Sequence, residues 1–350
     1  MGQDCLSGTE SKMTNIGKEL SNQIAEATRI KTSKIGIENA EKNRQYFRKT
    51  IKDLPKSDHS KSGESAIVIV GGPSLHRKNP VKTIQDSGFK GDIIVADGAL
   101  GYCLTRGLIP KYVVCLDTNP KRIVRWFGDT QLVNVPDDDY YRRQDLDKDH
   151  WKDELGYNRQ LIKLVNLNGK KIKALLSTSI DPSVTRRCVD SGMDIYWWNP
   201  LYDDPYEPDS ISRKLFNGNG IPCMVTGGNV GTAAWILSHA ALNKKHVALA
   251  GMDLGYAPGT PLINTQYYYE LVELLGDKVA DAFIQIYNPY LNETWFTDPT
   301  YHWYRKVFLD LAKDANCTTY NCTEGGTLFD DPVKFIPLVE FLTKFSPGNR

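Results

Sequence analysis

Two glycine pairs, and a recurring Asp, Ser or Asn just after apolar runs, are the residues of this chain with chemistry to offer. The first pair ends the run Ala66-Ile-Val-Ile-Val-Gly-Gly-Pro-Ser-Leu75. Gly71 and Gly72 lack a Cβ, so the backbone can take positive φ and admit a ligand closely, while Pro73 and Ser74 suit the first positions of a helix. The unpaired N–H groups of such a helix start would face an anion such as a phosphate. A side chain would block that approach, so Gly72→Val is expected to abolish nucleotide binding in a chain that still folds. The pattern is neither a Walker loop nor Gly-x-Gly-x-x-Gly, and a plain strand-to-helix turn uses the same residues.

The second pair lies in Thr226-Gly-Gly-Asn-Val-Gly-Thr-Ala-Ala234 and follows the same logic. Gly227 and Gly228 permit close approach, Asn229 can cap the following helix or hold a base or ribose, and small residues let that helix pack tightly. Further polar groups close other apolar runs: Asp97-Gly98-Ala99, Asp117-Thr118-Asn119, Ser177-Thr178-Ser179, Asn199-Pro200 and Gly251-Met-Asp253-Leu-Gly-Tyr256. Asp253 could accept ribose hydroxyls or orient a reacting group. Asp117 with Asn119 could ligate Mg²⁺ through oxygen, although Asp and Asn cap helices at such places too. In the tail, Asn321-Cys-Thr-Glu-Gly-Gly-Thr327 offers Glu324 as an acid or base and Asn321 and Thr323 as polar contacts. His302, among aromatics in Thr300-Tyr-His-Trp-Tyr-Arg305, is a second candidate base, and Tyr267, Tyr268 and Tyr269 could stack a base or sugar or simply pack.

The elements that must position these groups alternate. Apolar runs at Ala66–Val70, Asp92–Ala96, Tyr112–Leu116, Lys173–Ser177, Asp194–Trp198 and His246–Ala250 read as strands. Helical stretches at Val81–Ser87, Leu100–Thr105, Lys121–Trp126, Ser183–Ser191 and Val230–Leu242 lie between them. Continuous apolar strands are buried on both faces, so the order predicts an α/β fold with a Rossmann-like, doubly wound, mostly parallel sheet. In such a sheet a ligand sits beyond the carboxyl ends of the strands, which is where the polar groups fall. The domain reading is a helical N-terminal extension and linker over 1–62, the nucleotide-binding domain over 63–258, and a mostly helical cap over 259–350 that completes the site. In the extension, Ile35, Ile37, Ala40 and Tyr46-Phe47 mark the expected docking face. Asp137 to Asn168, charged and aromatic without clear period, reads as solvated surface or an insertion near the site. A strand-like Cys317–Tyr320 and helix-like Glu270–Phe283, Pro299–Ala315 and Val333–Lys344 complete the tail.

Composition excludes several classes. Forty-three basic against forty-two acidic residues leave a net charge of +1, no footprint for nucleic acid or an anionic membrane. No segment approaches the roughly 18 apolar residues of a membrane span, and the polar Met1–Asn15 lacks a signal-peptide core, so a cytoplasmic location is expected. Seven scattered cysteines with no Cys-x-x-Cys pair argue against a disulfide framework and a zinc knuckle.

Taken in order, Val70-Gly-Gly-Pro-Ser-Leu75, Ala96-Asp-Gly98, Val114-Cys-Leu-Asp117, Thr226-Gly-Gly-Asn-Val230 and Leu249-Ala-Gly-Met-Asp-Leu-Gly-Tyr256 resemble the MptE-like family. That family joins archaeal 6-hydroxymethylpterin diphosphokinases to the central domain of the motility accessory factor (Maf) flagellin glycosyltransferases. Asn321-Cys-Thr-Glu-Gly-Gly326 looks like the Maf loop as well, and the likeness spans about residues 35 to 330. It implies a Rossmann-like nucleotide site related to sialyltransferases that use a CMP-sugar. Ala257-Pro-Gly-Thr-Pro261 departs from the Maf pattern, which carries a histidine there. The leading expectation is a glycosyltransferase moving a nonulosonic, sialic-acid-like sugar from a CMP-activated donor to a hydroxyl acceptor, glycan or protein, with no required cofactor or metal. Gly71, Gly72, Pro73, Ser74, Asp97, Asp117, Asn119, Ser177, Thr178, Gly227, Gly228, Asn229, Tyr256, Asn321 and Thr323 would line the site. Asp253 would orient the donor, and Glu324 or His302 would deprotonate the acceptor. Two alternatives stand beside it. One is a diphosphokinase acting on a pterin alcohol with ATP, in which Asp97 and Asp117 hold Mg²⁺. The other is a non-catalytic nucleotide-sugar-binding module. Oligomeric state stays open.

Overall fold

The computed structural model describes residue 20 and residues 32–55, 63–118, 122–135 and 152–346. Among the described residues eleven strands form: β1 (Ser65–Ile69), β2 (Asp92–Ala96), β3 (Tyr112–Cys115), β4 (Lys173–Ser177), β5 (Asp194–Pro200), β6 (Cys223–Met224), β7 (His246–Ala250), β8 (Ile284–Asn288), β9 (Glu293–Thr297), β10 (Thr318–Asn321) and β11 (Lys334–Phe335). Nine of them make one sheet in the order β11-β10-β7-β1-β2-β3-β4-β5-β6, and β8 and β9 pair as a separate antiparallel hairpin. All pairings of the large sheet are parallel, with Ala66 opposite Asp92 and Ser65 opposite His246 setting the central register. This is the expected Rossmann-like α/β fold.

Period-two alternation divides each strand between two cores. Ile67, Ile69, Val95 and Val113 face one cluster, whereas Ala66, Val68, Ile94 and Val114 face the other. The helices, in chain order, are α1 (Ser74–Lys78), α2 (Pro80–Ser87), α3 (Asp97–Thr105), α4 (Glu154–Asn168), α5 (Pro182–Ser191), α6 (Ile211–Asn219), α7 (Val230–Ile236), α8 (Tyr268–Leu275), α9 (Pro299–Lys313) and α10 (Leu338–Phe345). Side chains of α2, α3, α4, α5 and α10 fill the first cluster, and those of α7 and α9 fill the second. The sheet is therefore wound on both faces. Strands β2 to β6 run out to one side of β1, while β7, β10 and β11 lie on the other, so the topological switch falls between β1 and β7.

Several elements differ from expectation for identifiable reasons. Within Asp137–Asn168, residues 137–151 lie outside the described ones, but nearly all of the rest is the 15-residue helix α4. Its buried positions are Glu154, Asn158, Leu161, Val165 and Asn168, a helical spacing whose three polar members hide it from hydropathy. Asn158 is buried because its side chain donates to Asp129 O and accepts from Asp129 N, both at 2.8 Å. The helix after the second glycine pair changes to a π-helical turn over Leu237–Ala241. Lys121–Trp126 becomes a 3-10 turn over Ile123–Phe127. Residues 259–350, expected as a mostly helical cap, supply α8 to α10 and also four strands, two of which extend the main sheet.

The N-terminal helix, residues 32–43, docks by a face that holds only part of the apolar one expected: Ala40 is buried and Tyr46 and Phe47 just beyond the helix pack on the core, but polar residues supply much of the rest. Ile37 points outward at 43% exposure, while Ser33, Asn39, Ala40 and Asn43 are buried. Hydrogen bonds explain the choice. Asn39 Nδ2 donates to Ser179 O at 3.0 Å, and Asn43 Nδ2 donates to Thr178 O at 3.2 Å and Ile180 O at 2.8 Å. Gly36 lets the helix come close, since a Cβ there would lie 2.9 Å from Ser179 Cβ. This helix seals the carboxyl end of β4.

Candidate functional site

At the switch point the first glycine turn closes on the end of β7. Gly72 N donates to Gly251 O at 2.8 Å, Ser74 N donates to Asp253 Oδ2 at 3.1 Å, and Ser74 Oγ donates to Asp253 Oδ1 at 2.5 Å. Ser74 and Asp253 are each 2% exposed. The Asp253 carboxylate thus takes the place beside the turn that an external anion would need, and two of the turn's N–H groups are already satisfied. The tail loop covers the pair. A Cβ on Gly325 would stand 1.9 Å from Ser74 Oγ and 3.0 Å from both Asp253 Oδ1 and the Trp295 ring. Pro73 opens α1 in right-handed helical geometry.

Gly72 itself is explained by this clasp. Its Cβ would meet Asp253 Oδ2 at 2.3 Å and Gly251 O at 2.4 Å, so a side chain disrupts the protein before it reaches any ligand. Gly72→Val is accordingly not the clean binding test expected from the sequence. Gly71 is different. A Cβ there would make ordinary contact with the backbone of Gly98 and Ala99, at 3.5 Å and beyond, and one at Gly98 with the Trp126 ring, at 3.8 Å. Neither glycine has positive φ. Both are half-buried and adjoin at the ends of β1 and β2, where nothing in the protein demands a glycine.

Beneath that notch Asp97 is 4% exposed. Its Oδ1 accepts from Gly98 N at 2.7 Å, while Oδ2 is buried without a well-formed hydrogen bond, the Cys115 thiol, a weak donor, beside it. Burial pushes the carboxyl up to about 7, the Asp117 charge adding to the effect and the contacts from Cys115 and Gly98 opposing it. Asp117 stands exposed at the end of β3. Asn119 lies outside the described residues.

The second glycine turn is also used by the protein. A Cβ on Gly227 would meet Thr232 Cγ2 at 2.3 Å, and one on Gly228 would meet Trp303 Cζ3 at 2.4 Å and Tyr304 Cε1 at 2.6 Å. Both glycines have positive φ, 62° and 83°. Asn229 caps α7 by accepting from Thr232 N at 2.9 Å. Against this turn α9 brings Trp303 and Tyr304, and burial pushes the Tyr304 phenol up to about 12; His302, half-buried, precedes them on the same helix.

Other predicted residues are held in internal contacts. Ser177 and Ser179 hydroxyls share a 2.6 Å bond, and Thr178 Oγ1 donates to Asn199 Oδ1 at 2.8 Å. Tyr256 donates to Asp298 Oδ2 at 2.6 Å, and burial holds its phenol well above the usual range. Asn321 Nδ2 donates to Leu328 O at 2.5 Å, and Thr323 Oγ1 accepts from Met252 N at 3.1 Å. Glu324, with φ of 54°, accepts from Leu338 N at 3.1 Å through Oε1 and so caps α10 from outside it. Trp303 and Tyr304 carried the weakest sequence signal, their buried partners Thr300 and Phe308 placing Tyr304 on the inward face of α9.

Among solved structures, the chain is similar to the Maf glycosyltransferase of Magnetospirillum magneticum AMB-1, with a TM-score of 0.52 and 14% identity. That likeness shows a Maf-like fold. It covers 86% of this chain and 38% of the other, so the chain spans well under half the length of that protein. No family model matches the chain, and no curated protein matches it. Among the described residues no helix is long and apolar enough to cross a membrane, and no group of three or more His, Cys, Asp or Glu is placed to hold a metal ion.

Proposed function

We propose that the chain is a glycosyltransferase that moves a nonulosonic-acid-type sugar from a CMP-activated donor to a hydroxyl acceptor. The observation that carries the reading is the open notch of Gly71 and Gly98 at the ends of β1 and β2, on a sheet of Maf-like fold. There the donor's backbone-facing phosphate can approach two residues without a Cβ, at the start of the nine-residue helix α3, whose N-cap Ala96 supplies no side-chain bond. Helix N–H groups stabilise charge on a departing phosphate. Asp97, carrying its proton for much of the population near neutral pH, limits repulsion of that phosphate. Asp253 acts indirectly by holding the first turn through Ser74. The acceptor base in this reading is His302, on the α9 turn beside the corner, because the Glu324 carboxylate is engaged with Leu338 N.

One observation favours a second reading. Asp97 and Asp117 are close enough for their charges to interact, and Mg²⁺ is commonly bound by one or two carboxylates with phosphate and water completing the shell. These two residues would hold that ion in a pyrophosphate transfer from ATP to a pterin alcohol, where it would neutralise phosphate charge. A ligand panel separates the readings: thermal unfolding with CMP, CMP-sugar, and ATP plus Mg²⁺. A ligand at a hundred times its dissociation constant adds about 2.7 kcal/mol of stability. Stabilisation by ATP with Mg²⁺ and none by CMP ends the glycosyltransferase reading, and CMP-sugar binding without transfer to any of a broad set of acceptors makes the chain a binding module.

A further inference from the structure

A cavity of about 430 Å³ opens beside the carboxyl end of β4, two strands along the sheet from β2, and none of the notch residues lines it. Its walls come from two distant segments. Lys42, Gln45 and Tyr46 form one, where the N-terminal helix passes into a 3-10 turn, and Asp181, Pro182 and Arg186 at the start of α5 form the other. Spacings of three and four residues bring the members of each wall to one helical face. Asn43, fully buried, locks the walls together. Its Nδ2 donates to Ile180 O at 2.8 Å, and its Oδ1 accepts from Thr185 Oγ1, also fully buried, at 2.8 Å. Lys42 precedes Asn43 and Arg186 follows Thr185, so the fold itself brings both cations to the cavity.

Those cations are not used by the protein. Among the described residues neither Lys42 nor Arg186 makes an ion pair or a side-chain hydrogen bond, and Glu41, next to Lys42, pairs with Arg44 at 3.2 Å instead. Asp181 caps α5 by accepting from Ser183 N through Oδ1 at 2.8 Å, which leaves its second oxygen able to accept from another donor. Tyr46 is half-buried and packs on the first core cluster, and with Pro182 it gives the cavity an apolar side.

Chemistry narrows the occupant. Two cations at one cavity favour a doubly charged anion, a charge that a phosphate monoester approaches near neutral pH. The Asp181 carboxylate opposes a bare phosphate but accepts from hydroxyls. A tyrosine and a proline suit the C–H face of a sugar ring. A phosphate on a serine side chain brings no such hydroxyls or ring. The volume lies within the range of small-molecule sites.

We propose that this cavity binds a phosphorylated monosaccharide, with Lys42 and Arg186 on the phosphate, Asp181 on the hydroxyls and Tyr46 with Pro182 against the ring. The site is separate from the notch and does not rest on the glycosyltransferase reading. Its test is calorimetric titration of the full chain with glucose 6-phosphate, glucose and inorganic phosphate. Wild type, Lys42→Gln and Arg186→Gln are compared; both residues are exposed, so the variants keep the fold, as their melting temperatures will check. Glucose 6-phosphate should bind wild type at least about five-fold more tightly than glucose or inorganic phosphate, and each variant should lose about five-fold or more of that affinity. No binding to wild type, or equal affinity in folded variants, overturns the site. Glucose or inorganic phosphate binding as tightly as the ester overturns the ligand class. The CMP-induced melting shift, measured alongside, should be the same in all three chains; a shift seen in wild type and lost with either cation makes the cavity part of the donor site and overturns its independence.

Discussion

The ends of β1 and β7 and the ends of β2 and β3 use the same residue types to opposite effect. At β1 and β7, Gly72, Ser74 and Asp253 close on one another beneath Gly325. At β2 and β3, Gly98, Asp97 and Asp117 lie beside Gly71 of β1 in a notch whose glycines the protein does not need. A glycine followed by a hydroxyl or an acid after a strand is therefore ambiguous: it is a clasp when a neighbouring strand end supplies the partner and a cleft when none does. The clasp holds the switch point together so that the corner beside it can stay open.

The largest expected effect tests the clasp. Gly72→Ala places a methyl against Asp253 Oδ2 and Gly251 O, and should lower unfolding free energy by about 3 kcal/mol or more in urea titration. Gly71→Ala should stay within about 0.5 kcal/mol of wild type and yet lose the nucleotide-induced shift, since its methyl enters the notch. Equal stability of the two variants would erase the distinction between the regions.

Ser74→Ala comes next. It strips the Asp253 carboxylate of its hydroxyl donor in a buried setting and should destabilise by about 1–3 kcal/mol, read from denaturant midpoints. A variant as stable as wild type would mean that the clasp is held by Gly72 and Gly251 alone.

The open corner should show itself in pH dependence. Asp97 keeps its proton in the fold up to about pH 7, whereas an unperturbed aspartate ionises near 3.8. The folded state binds more protons in that window, so this group makes stability fall as pH rises from near 4 to near 7 and then level off. Asp298, pushed up by burial to about 6, adds a slope of the same sign. Asp97→Asn should flatten the Asp97 share of that profile in melts at pH 5 and pH 8. An unchanged profile would place Asp97 in a wetter site than its burial indicates.

Glu324→Gln should do least. The amide oxygen can still accept from Leu338 N, so stability should change by less than about 1 kcal/mol and donor binding should persist, while Glu324→Ala loses the cap and costs about 1 kcal/mol. A large fall in turnover for the Gln variant, with stability intact, would move Glu324 from the clasp side of the molecule to the chemistry.

Much of the fold was legible in the sequence. The runs at Asp92–Ala96, Lys173–Ser177 and His246–Ala250 are strands with those bounds, because buried parallel strands need apolar side chains on both faces and say so locally. Helix α4 was not legible, since three of its five buried residues are polar: Asn158 bonds to Asp129 and Glu154 accepts from Arg125, each about thirty positions away, and Asn168 donates to Leu164 O. The N-terminal helix turned its Asn39 and Asn43 inward for the same reason. Of the candidate site, Asp97 and Asp117 could be picked out as acids at strand ends, but nothing local distinguished them from Asn229, which caps a helix.

The sequence by itself determined where the strands lie, that they are parallel and wrapped by helices, and that polar groups crowd their carboxyl ends, because hydropathy period and glycine placement are properties of short stretches. Only the tertiary structure decided which of those groups are consumed. Ser74 and Asp253 are 179 positions apart, and their bond depends on β7 returning to lie beside β1. Strand order is set by how whole helices pack on two faces, so the partner of a strand-end residue is a property of the assembled sheet, and with it the difference between a closed clasp and an open corner.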